Sequence, residues 1–481
     1  MAVTRIILWI GYALVIMSAL MGVALLGALF LMDYQVAVIL FVTSLVVLVF
    51  GGLLILTTAQ TPSRETNSDA LLFLLLFWIF MPLIGAIPFL VYDPNTGWIR
   101  AYFEAVSMLT TTGASGFVAD NLPPAMILWQ AILQFFGGVS VATLAVVVLA
   151  ALNLTGTGVH RSNLFTLRKG ELFERLIGIG RVVFAIYLFI ASLCFILMTL
   201  SGTGVFEALT LSLSAVATGG MTPRSDDLAL YVPRISALIL ALTCGLGAMN
   251  VSVVWDVLRS RSLQNVHRLF TNIEHRTLLS LCGGVFVLGL FYAGIQNIYP
   301  VFLEAIFFIS SAGFIYDPIS LEQIPSVILI AIALIGGAAL STAGGLKVIR
   351  IVLLMRHLST DIKRLSHPSR VLPVSFRKMA IPDRAFLSIW MYFFGYTLVF
   401  GVSVLGYGAV GLDFVDATTV GAASLSNMGL LLPATLPESG LTWVEMSSSQ
   451  LMFSSVLMLI GRVEVLAVFV LLTPSFWKEQ A

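Results

Sequence analysis

The chain has 481 residues, of which 59% are hydrophobic and 10% charged, with a formal net charge of +1. So apolar a composition excludes a soluble globule, and the near-neutral charge argues against a nucleic-acid partner. Cys194, Cys244 and Cys282 all fall in apolar runs and read as small core residues, not as disulfides or metal ligands.

Residues 6–31 and 36–56 are two apolar spans joined by a short turn at Asp33. No small-residue cleavage site follows, so residues 1–60 read as an N-terminal helix hairpin and not as a signal peptide. Four units follow, at 70–152, 178–257, 277–355 and 385–473. Each reads as a span, a half-length helix and a second span. The pieces are 70–91, 101–112 and 125–152; 178–200, 204–218 and 234–257; 277–296, 300–312 and 325–355; and 385–409, 413–426 and 448–473. With the hairpin this predicts ten spanning helices and four re-entrant ones. The fold class is therefore an all-α membrane protein with pseudo-fourfold symmetry, its partner surface the lipid bilayer.

The half-length helices share one pattern: an acid, an apolar stretch, a polar run and a glycine. It appears as YFEAVSMLTTTGASGF, FEALTLSLSAVATGGM, LEAIFFISSAGF and VDATTVGAASLSNMG. Counted from Glu104 to Gly113, Glu207 to Gly219, Glu304 to Gly313 and Asp416 to Gly429, the offsets are 9, 12, 9 and 13 residues. At ~1.5 Å per residue that is ~14–19 Å, about half of a hydrocarbon core ~30 Å thick. Backbone that leaves a helix at membrane depth survives only inside protein or along a watered path. Each half-helix ends in free carbonyls and the negative end of its dipole. Four such ends on one axis would suit a dehydrated cation. The acid is favoured near the positive N-terminal end, and glycine permits the backbone angles of an abrupt stop.

Two further stretches bear on that path. GGAALSTAGGLKVIR, Gly336 to Arg350, puts four glycines and a Ser-Thr pair inside an apolar span. It predicts a broken helix whose middle forms a mobile loop below the four glycines, able to gate the path. A phosphate-cradling loop is excluded, because no Gly-Lys-Ser/Thr follows a strand. Arg462 lies deep in the last span, where a buried arginine must find partners. The expectation is that it reaches the carbonyls of the 339–346 loop.

Basic residues set the orientation. Arg161, Arg168, Lys169 and Arg175, then Arg259, Arg261, Arg268 and Arg276, then Arg356, Lys363, Arg364, Arg370, Arg377, Lys378 and Arg384 cluster in three loops on one side, which reads as cytoplasmic, together with both termini. The other side keeps Arg100, Arg224 and Arg234 and holds acids including Asp93, Asp120, Asp226, Asp227 and Asp413. The half-helices therefore enter from outside, below a mouth that would concentrate cations.

TTTGASGF, ATGGMTP, SSAGF and LSNMG resemble the four filter loops of the Trk/Ktr/HKT potassium transporters, and STAGGLKVIR resembles their intramembrane gating loop. GRVEV and LLTPSFW, with the leading hairpin, resemble the bacterial TrkH/TrkG branch. The resemblance covers essentially the whole chain. It implies K⁺ uptake across a bacterial inner membrane, by a homodimer seated on a cytosolic TrkA-type nucleotide-binding ring, with no organic cofactor. It assigns filter roles to Thr111, Thr112 and Gly113; Ala217, Thr218 and Gly219; Ser311, Ala312 and Gly313; and Asn427, Met428 and Gly429. Gate roles fall on Ala339, Leu340, Ser341, Thr342, Ala343, Gly344, Gly345 and Lys347, with Arg462. A serine at the first filter glycine accompanies Na⁺ transport in the family; Gly113 therefore favours K⁺. The fourth loop departs from the pattern, with leucines and Pro433 where a Gly-Pro-Gly run is usual.

Other readings remain open at this point: Na⁺ or mixed conduction, and K⁺ symport coupled to H⁺ or Na⁺. A different class is an intramembrane serine protease, because Gly113–Gly116 reads Gly-Ala-Ser-Gly. Such a serine needs a base within reach, and the histidines, His160, His267, His275, His357 and His367, all fall in loops on the far side from Ser115. The expectation is a transporter and no enzyme.

Overall fold

The computed structural model describes residues 3–59, 67–151, 172–260, 267–317, 321, 323–367, 375–376, 379–380, 383–429, 431–435, 440–463, 465, 468–469 and 473. Apolar runs become helices because lipid offers backbone groups no partner, and a helix satisfies them internally. The hairpin is α1 (Val3–Phe30) and α2 (Tyr34–Thr58). The two pack closely where Gly11 and Gly51 meet; a Cβ on either would lie 3.1 Å from the other's carbonyl oxygen.

The first unit is α3 (Asn67–Tyr92), α4 (Trp98–Leu109) and α5 (Pro124–Ala151). The second is α6 (Leu172–Leu200), α7 (Val205–Val216), α8 (Arg234–Ala248) and α9 (Val251–Ser260). The third is α10 (Ile273–Ala293), α11 (Ile298–Ile309), α12 (Ser326–Ile335) and α13 (Val348–Ser366). The fourth is α14 (Asp383–Ala409), α15 (Phe414–Leu425) and α16 (Ser448–Val463). Apart from a two-residue ladder pairing Ser375–Phe376 with Met379–Ala380, the described elements are helical.

Among the described residues seven helices are long and apolar enough to cross a membrane, and the bent pair α8–α9 makes an eighth. That falls short of the ten expected. One shortfall is α12, cut to 10 residues at Gly336. The other is α16, described as a continuous helix only to Val463. The span expected at 234–257 is also not straight, because α8 and α9 meet at 101°.

The half-helices α4, α7, α11 and α15 are each 12 residues long, ~18 Å of helix. In three units a glycine on the following span lets the half-helix tip approach. A Cβ on Gly137 would lie 2.1 Å from Leu109 O, one on Gly247 2.5 Å from Val216 O, and one on Gly461 2.5 Å from Leu425 O. Leu109, Val216 and Leu425 are the last residues of their half-helices. In the third unit the span itself breaks, at Gly336.

Several of the charges expected on the outward side serve as struts or caps. Arg100 donates to Gly116 O (2.8 Å), Val444 O (2.7 Å) and Met446 O (3.3 Å), joining the first unit to the fourth. Arg224 pairs with Glu207, which raises the guanidinium's affinity for its proton. Asp93 and Asp413 act as helix caps, so part of the acidic mouth is capping chemistry.

Gly137→Leu should abolish the folded protein, because the clashing neighbour is backbone, whereas Gly22→Ala, which meets nothing within 4 Å, should not. Size-exclusion profiles of the two detergent-solubilised variants check this.

Candidate functional site

The four half-helix tips turn in the same way. Each has a C-cap residue (Thr110, Ala217, Ser310 or Ser426). The next residue is left-handed: Thr111 at φ 54°, Thr218 at 51°, Ser311 at 55° and Asn427 at 51°. Thr111 N donates to Met108 O (3.0 Å) and Thr112 N to Ser107 O (2.8 Å), which is the Schellman turn. The same pair of bonds closes the tips at Thr218–Gly219 and Asn427–Met428. The helices therefore stop at a threonine, serine or asparagine, and the glycine comes two residues later.

This common turn corrects the register of the second unit. The residue two positions after the left-handed one is Gly113, Gly220, Gly313 or Gly429. Gly220, at φ 74°, matches Gly113 at 76°; Gly219 stands level with Thr112, Ala312 and Met428. The repeated Gly-Gly had hidden the shift.

The backbones of these loops touch one another. A Cβ on Gly113 would lie 1.8 Å from Gly219 O, one on Gly220 2.0 Å from Gly313 Cα, and one on Gly429 2.7 Å from Thr112 O. Gly429 N donates to Thr112 O at 2.8 Å. Units one and two, two and three, and four and one thus meet through main chain. On one side of the ring a cavity of about 460 Å³ opens over Gly113 and Gly220, walled by Gln130, Thr222, Arg224 and Glu445.

Behind the ring two buried acids hold the returning strands. Glu104 accepts Gly116 N (2.8 Å), Gln130 Nε2 (2.7 Å) and Ser115 Oγ (3.1 Å). Glu304 accepts the N–H groups of Tyr316 and Asp317. The Ser115 hydroxyl is engaged with Glu104 and Phe117 O.

On the other side of the ring lies the broken span. Residues 336–347 leave the helix at Gly336 (φ 76°) and rejoin it after Gly345 (φ 78°) and Lys347 (φ 71°). Gly337 N donates to Gly344 O (3.2 Å) and Leu346 N to Leu334 O (3.0 Å), closing the loop on itself. Lys347 Nζ donates to Ser341 O (3.2 Å) and Ala343 O, and Ser341 Oγ to Ala338 O (2.6 Å).

The loop seats against the left-handed residues. Thr342 Oγ1 lies 2.8 Å from Thr218 Oγ1. Gly344 N donates to Ser311 Oγ at 3.2 Å. A Cβ on Gly344 would lie 1.6 Å from Ser426 O. Arg462 completes the circle, donating from Nη1 to Thr342 O (2.6 Å), from Nε to Thr110 O (2.6 Å) and from Nη2 to Thr111 Oγ1 (2.7 Å). The expected reach of Arg462 to the loop is what the geometry has, with the first half-helix tip as a second partner. Asn427 turns instead to Thr112 Oγ1 (3.1 Å) and Met458 O (3.0 Å).

A family model described as TrkH, cation transport protein, matches residues 37–479. This chain belongs to the TrkH family. It is 30% identical over 450 residues to the Trk system potassium uptake protein TrkH of Escherichia coli K12, covering 91% of this chain and 92% of that protein. It is 31% identical over 459 residues to TrkH of Vibrio parahaemolyticus, with 91% and 92% covered. TrkG of E. coli K12 is 28% identical over 455 residues, covering 92% of each. The crystal structure of the potassium transporter TrkH from Vibrio parahaemolyticus superposes with a TM-score of 0.87 at 29% identity, covering 99% of this chain and 100% of that one.

Two features of this TrkH-family site escaped the sequence. The left-handed Thr111, Thr218, Ser311 and Asn427 look like ordinary polar residues, although their common place two residues before a loop glycine was a usable signal. Glu274, on which the 336–347 loop also rests through Ala339 N, and Asn250, which bonds Glu274, lie far from the loop in sequence and carried no motif.

The corrected register makes a direct prediction. Gly220→Ala should damage K⁺/Na⁺ discrimination more than Gly219→Ala, because Gly220 is left-handed and faces Gly313 backbone, whereas a Cβ on Gly219 first meets the end of the Gln134 side chain at 2.5 Å. Paired K⁺ and Na⁺ fluxes in vesicles decide; the reverse order would return Gly219 to the place of Gly113.

Proposed function

We propose that this chain is the conducting subunit of a potassium uptake system, passing K⁺ through the ring of loop backbones under control of the 336–347 loop. The observation that carries the reading is the convergence of four helix C-termini whose glycine backbones touch. Carbonyl oxygens presented there can replace the water of a bare cation, and helix-dipole ends supply partial negative charge. The relatives' names supply the identity of the ion. The filter in this reading is Thr111–Gly113, Thr218–Gly220, Ser311–Gly313 and Asn427–Gly429, with Ala217 as a helix cap. K⁺ is the cargo, and no organic cofactor takes part.

The gate in this reading is Ala339 to Gly345 with Lys347, pinned by Arg462. It lies across the helix-tip side of the ring, where its bonds reach the tips of units two and three, Arg462 links it to the tip of unit one, and its backbone abuts that of unit four. The guanidinium also places a fixed positive charge beside the path, opposing cations while the loop is seated. The protein sits in a bacterial inner membrane with both termini cytoplasmic. It works as a homodimer over a cytosolic TrkA-type ring, an assembly taken from the family resemblance.

The deciding experiment is ion flux in reconstituted vesicles. K⁺ flux should exceed Na⁺ flux and run down its own gradient whatever the pH difference. Equal Na⁺ flux would overturn the selective filter, and K⁺ accumulation driven by a proton gradient would replace a channel-like path with coupled transport.

Arg462→Ala should raise basal K⁺ flux by about tenfold, since hydrogen bonds from a charged group contribute ~1.5–3 kcal/mol each. Unchanged flux in a folded variant would remove the gate assignment. Thr218→Gly should relieve ~1–2 kcal/mol of left-handed strain and delete one gate contact, giving a protein as stable as the parent but leakier, as thermal melts and flux together would show.

A further inference from the structure

The 336–347 loop has a second seat, on the elbow between α8 and α9. We propose that Glu274 and Asn250 are positioning residues that latch the loop to this elbow, and that a swing of α9 is the motion that frees it. The proposal rests on the loop being the gate.

A helix break strands backbone groups on both sides. Here the loop takes them up. Thr342 Oγ1 donates to Gly247 O, in the last turn of α8, at 3.2 Å. Leu340 O accepts from Val251 N, the first residue of α9, at 3.3 Å. The Leu340 side chain packs in one cluster with Val251, Val254, Ile179 and Tyr187. Leu340 itself is left-handed, at φ 55°. The loop is thus shaped to cap the elbow as well as to cover the ring.

Glu274 closes the connection. Its Oε2 accepts Ala339 N at 2.9 Å, and its two oxygens accept Asn250 Nδ2 at 3.3 and 3.4 Å. An acid in the first turn of a helix ordinarily serves only the helix dipole and stays wet. Glu274 is 2% exposed and faces two other elements. Asn250 occupies the break itself: its Oδ1 accepts Ser252 N (3.0 Å) and Ser252 Oγ (2.7 Å), capping α9. Asn250 N donates to His275 Nε2 at 3.0 Å, while His275 Nδ1 donates to Leu269 O at 2.8 Å. A ring bonded in that way is neutral, with Nε2 as its bare nitrogen.

The arrangement is a lever. The helix α9 has 10 residues, ~15 Å, and leaves α8 at 101°, so it runs across the bundle and not along it. Its far end carries Arg259, and its near end is the loop's seat. Displacing the far end pulls on Val251, Asn250 and so on Leu340 and Ala339.

The test uses the full chain in vesicles, with Cys194, Cys244 and Cys282 replaced and a reporter cysteine at Ala343→Cys. Glu274→Ala and Asn250→Ala should each raise basal K⁺ flux about fivefold or more, and raise the reporter's reaction rate with an impermeant thiol reagent to match. Their combination should add little to either alone. Glu274→Gln keeps the size but turns an amide donor toward Asn250; it should give a smaller rise and serves where the alanine variant does not fold. Flux and thiol rate within about twofold of the parent, in folded Glu274→Gln and Asn250→Ala proteins, would overturn the latch. Arg462→Ala, run in parallel, separates the two readings. If it opens the path and the latch variants do not, only the latch fails; if none opens it, the gate fails with it.

Discussion

The structure depends on what happens to carbonyl oxygens where a helix ends away from water. Four half-helices each stop inside the protein, and each leaves its last carbonyls without intrahelical partners. The molecule disposes of them in layers. The Schellman turn satisfies the innermost ones. A glycine of the neighbouring span presses on the last helical carbonyl in three units. The cap carbonyl of the first tip receives Arg462, and that of the fourth abuts Gly344. What the four loops still turn toward one another is the main chain from the left-handed residue to the glycine, where Thr112 O already accepts Gly429 N. In the proposed reading, an ion placed among the remaining carbonyls would supply their positive partner.

That scheme explains an otherwise costly choice. Helices commonly end with glycine in the left-handed position, because a side chain there is strained. This chain uses threonine twice, serine and asparagine. A β-branched residue at positive φ is the least comfortable of all. The compensation is that three of these side chains bond directly to the 336–347 loop or to Arg462. Glycine would stop the helix as well, yet offer the loop nothing to hold. Strain at the tips and docking of the loop are therefore one feature.

Much of this was legible in the sequence. Half-depth helices follow from segment length, and the broken span follows from Gly336, Gly337, Gly344 and Gly345. The length of a buried side chain makes the reach of Arg462 foreseeable. Other parts were not legible, for physical reasons. Gly219 and Gly220 are chemically identical, and only backbone angles tell which one stands beside Gly113. The α8–α9 break hides because its flanks, Gly245 to Ala248 and Val251 to Val254, are apolar but for Ser252. Asn250 resembles a tolerated polar residue until the loop that satisfies its surroundings is in place. Glu274 follows the helix cap Asn272, so its position already had an adequate local explanation.

With the register corrected, the distance from acid to glycine is 9, 13, 9 and 13 residues, a twofold alternation within a fourfold ring. Glu104 and Glu304 sit mid-helix and each binds a backbone N–H 12 residues onward. The corresponding places in the other two units are Leu211 and Val420. In the second unit a serine does the holding, with Met221 N donating to Ser214 Oγ at 2.9 Å. Symmetry is lost on the face of the 336–347 loop too: among the described residues, the third unit's span is the one that opens into such a loop. It is retained in the few residues of each tip that would face an ion. A cation coordinated by backbone oxygens would constrain its own contact shell and little beyond it, leaving each unit free to support its tip by a different chemistry.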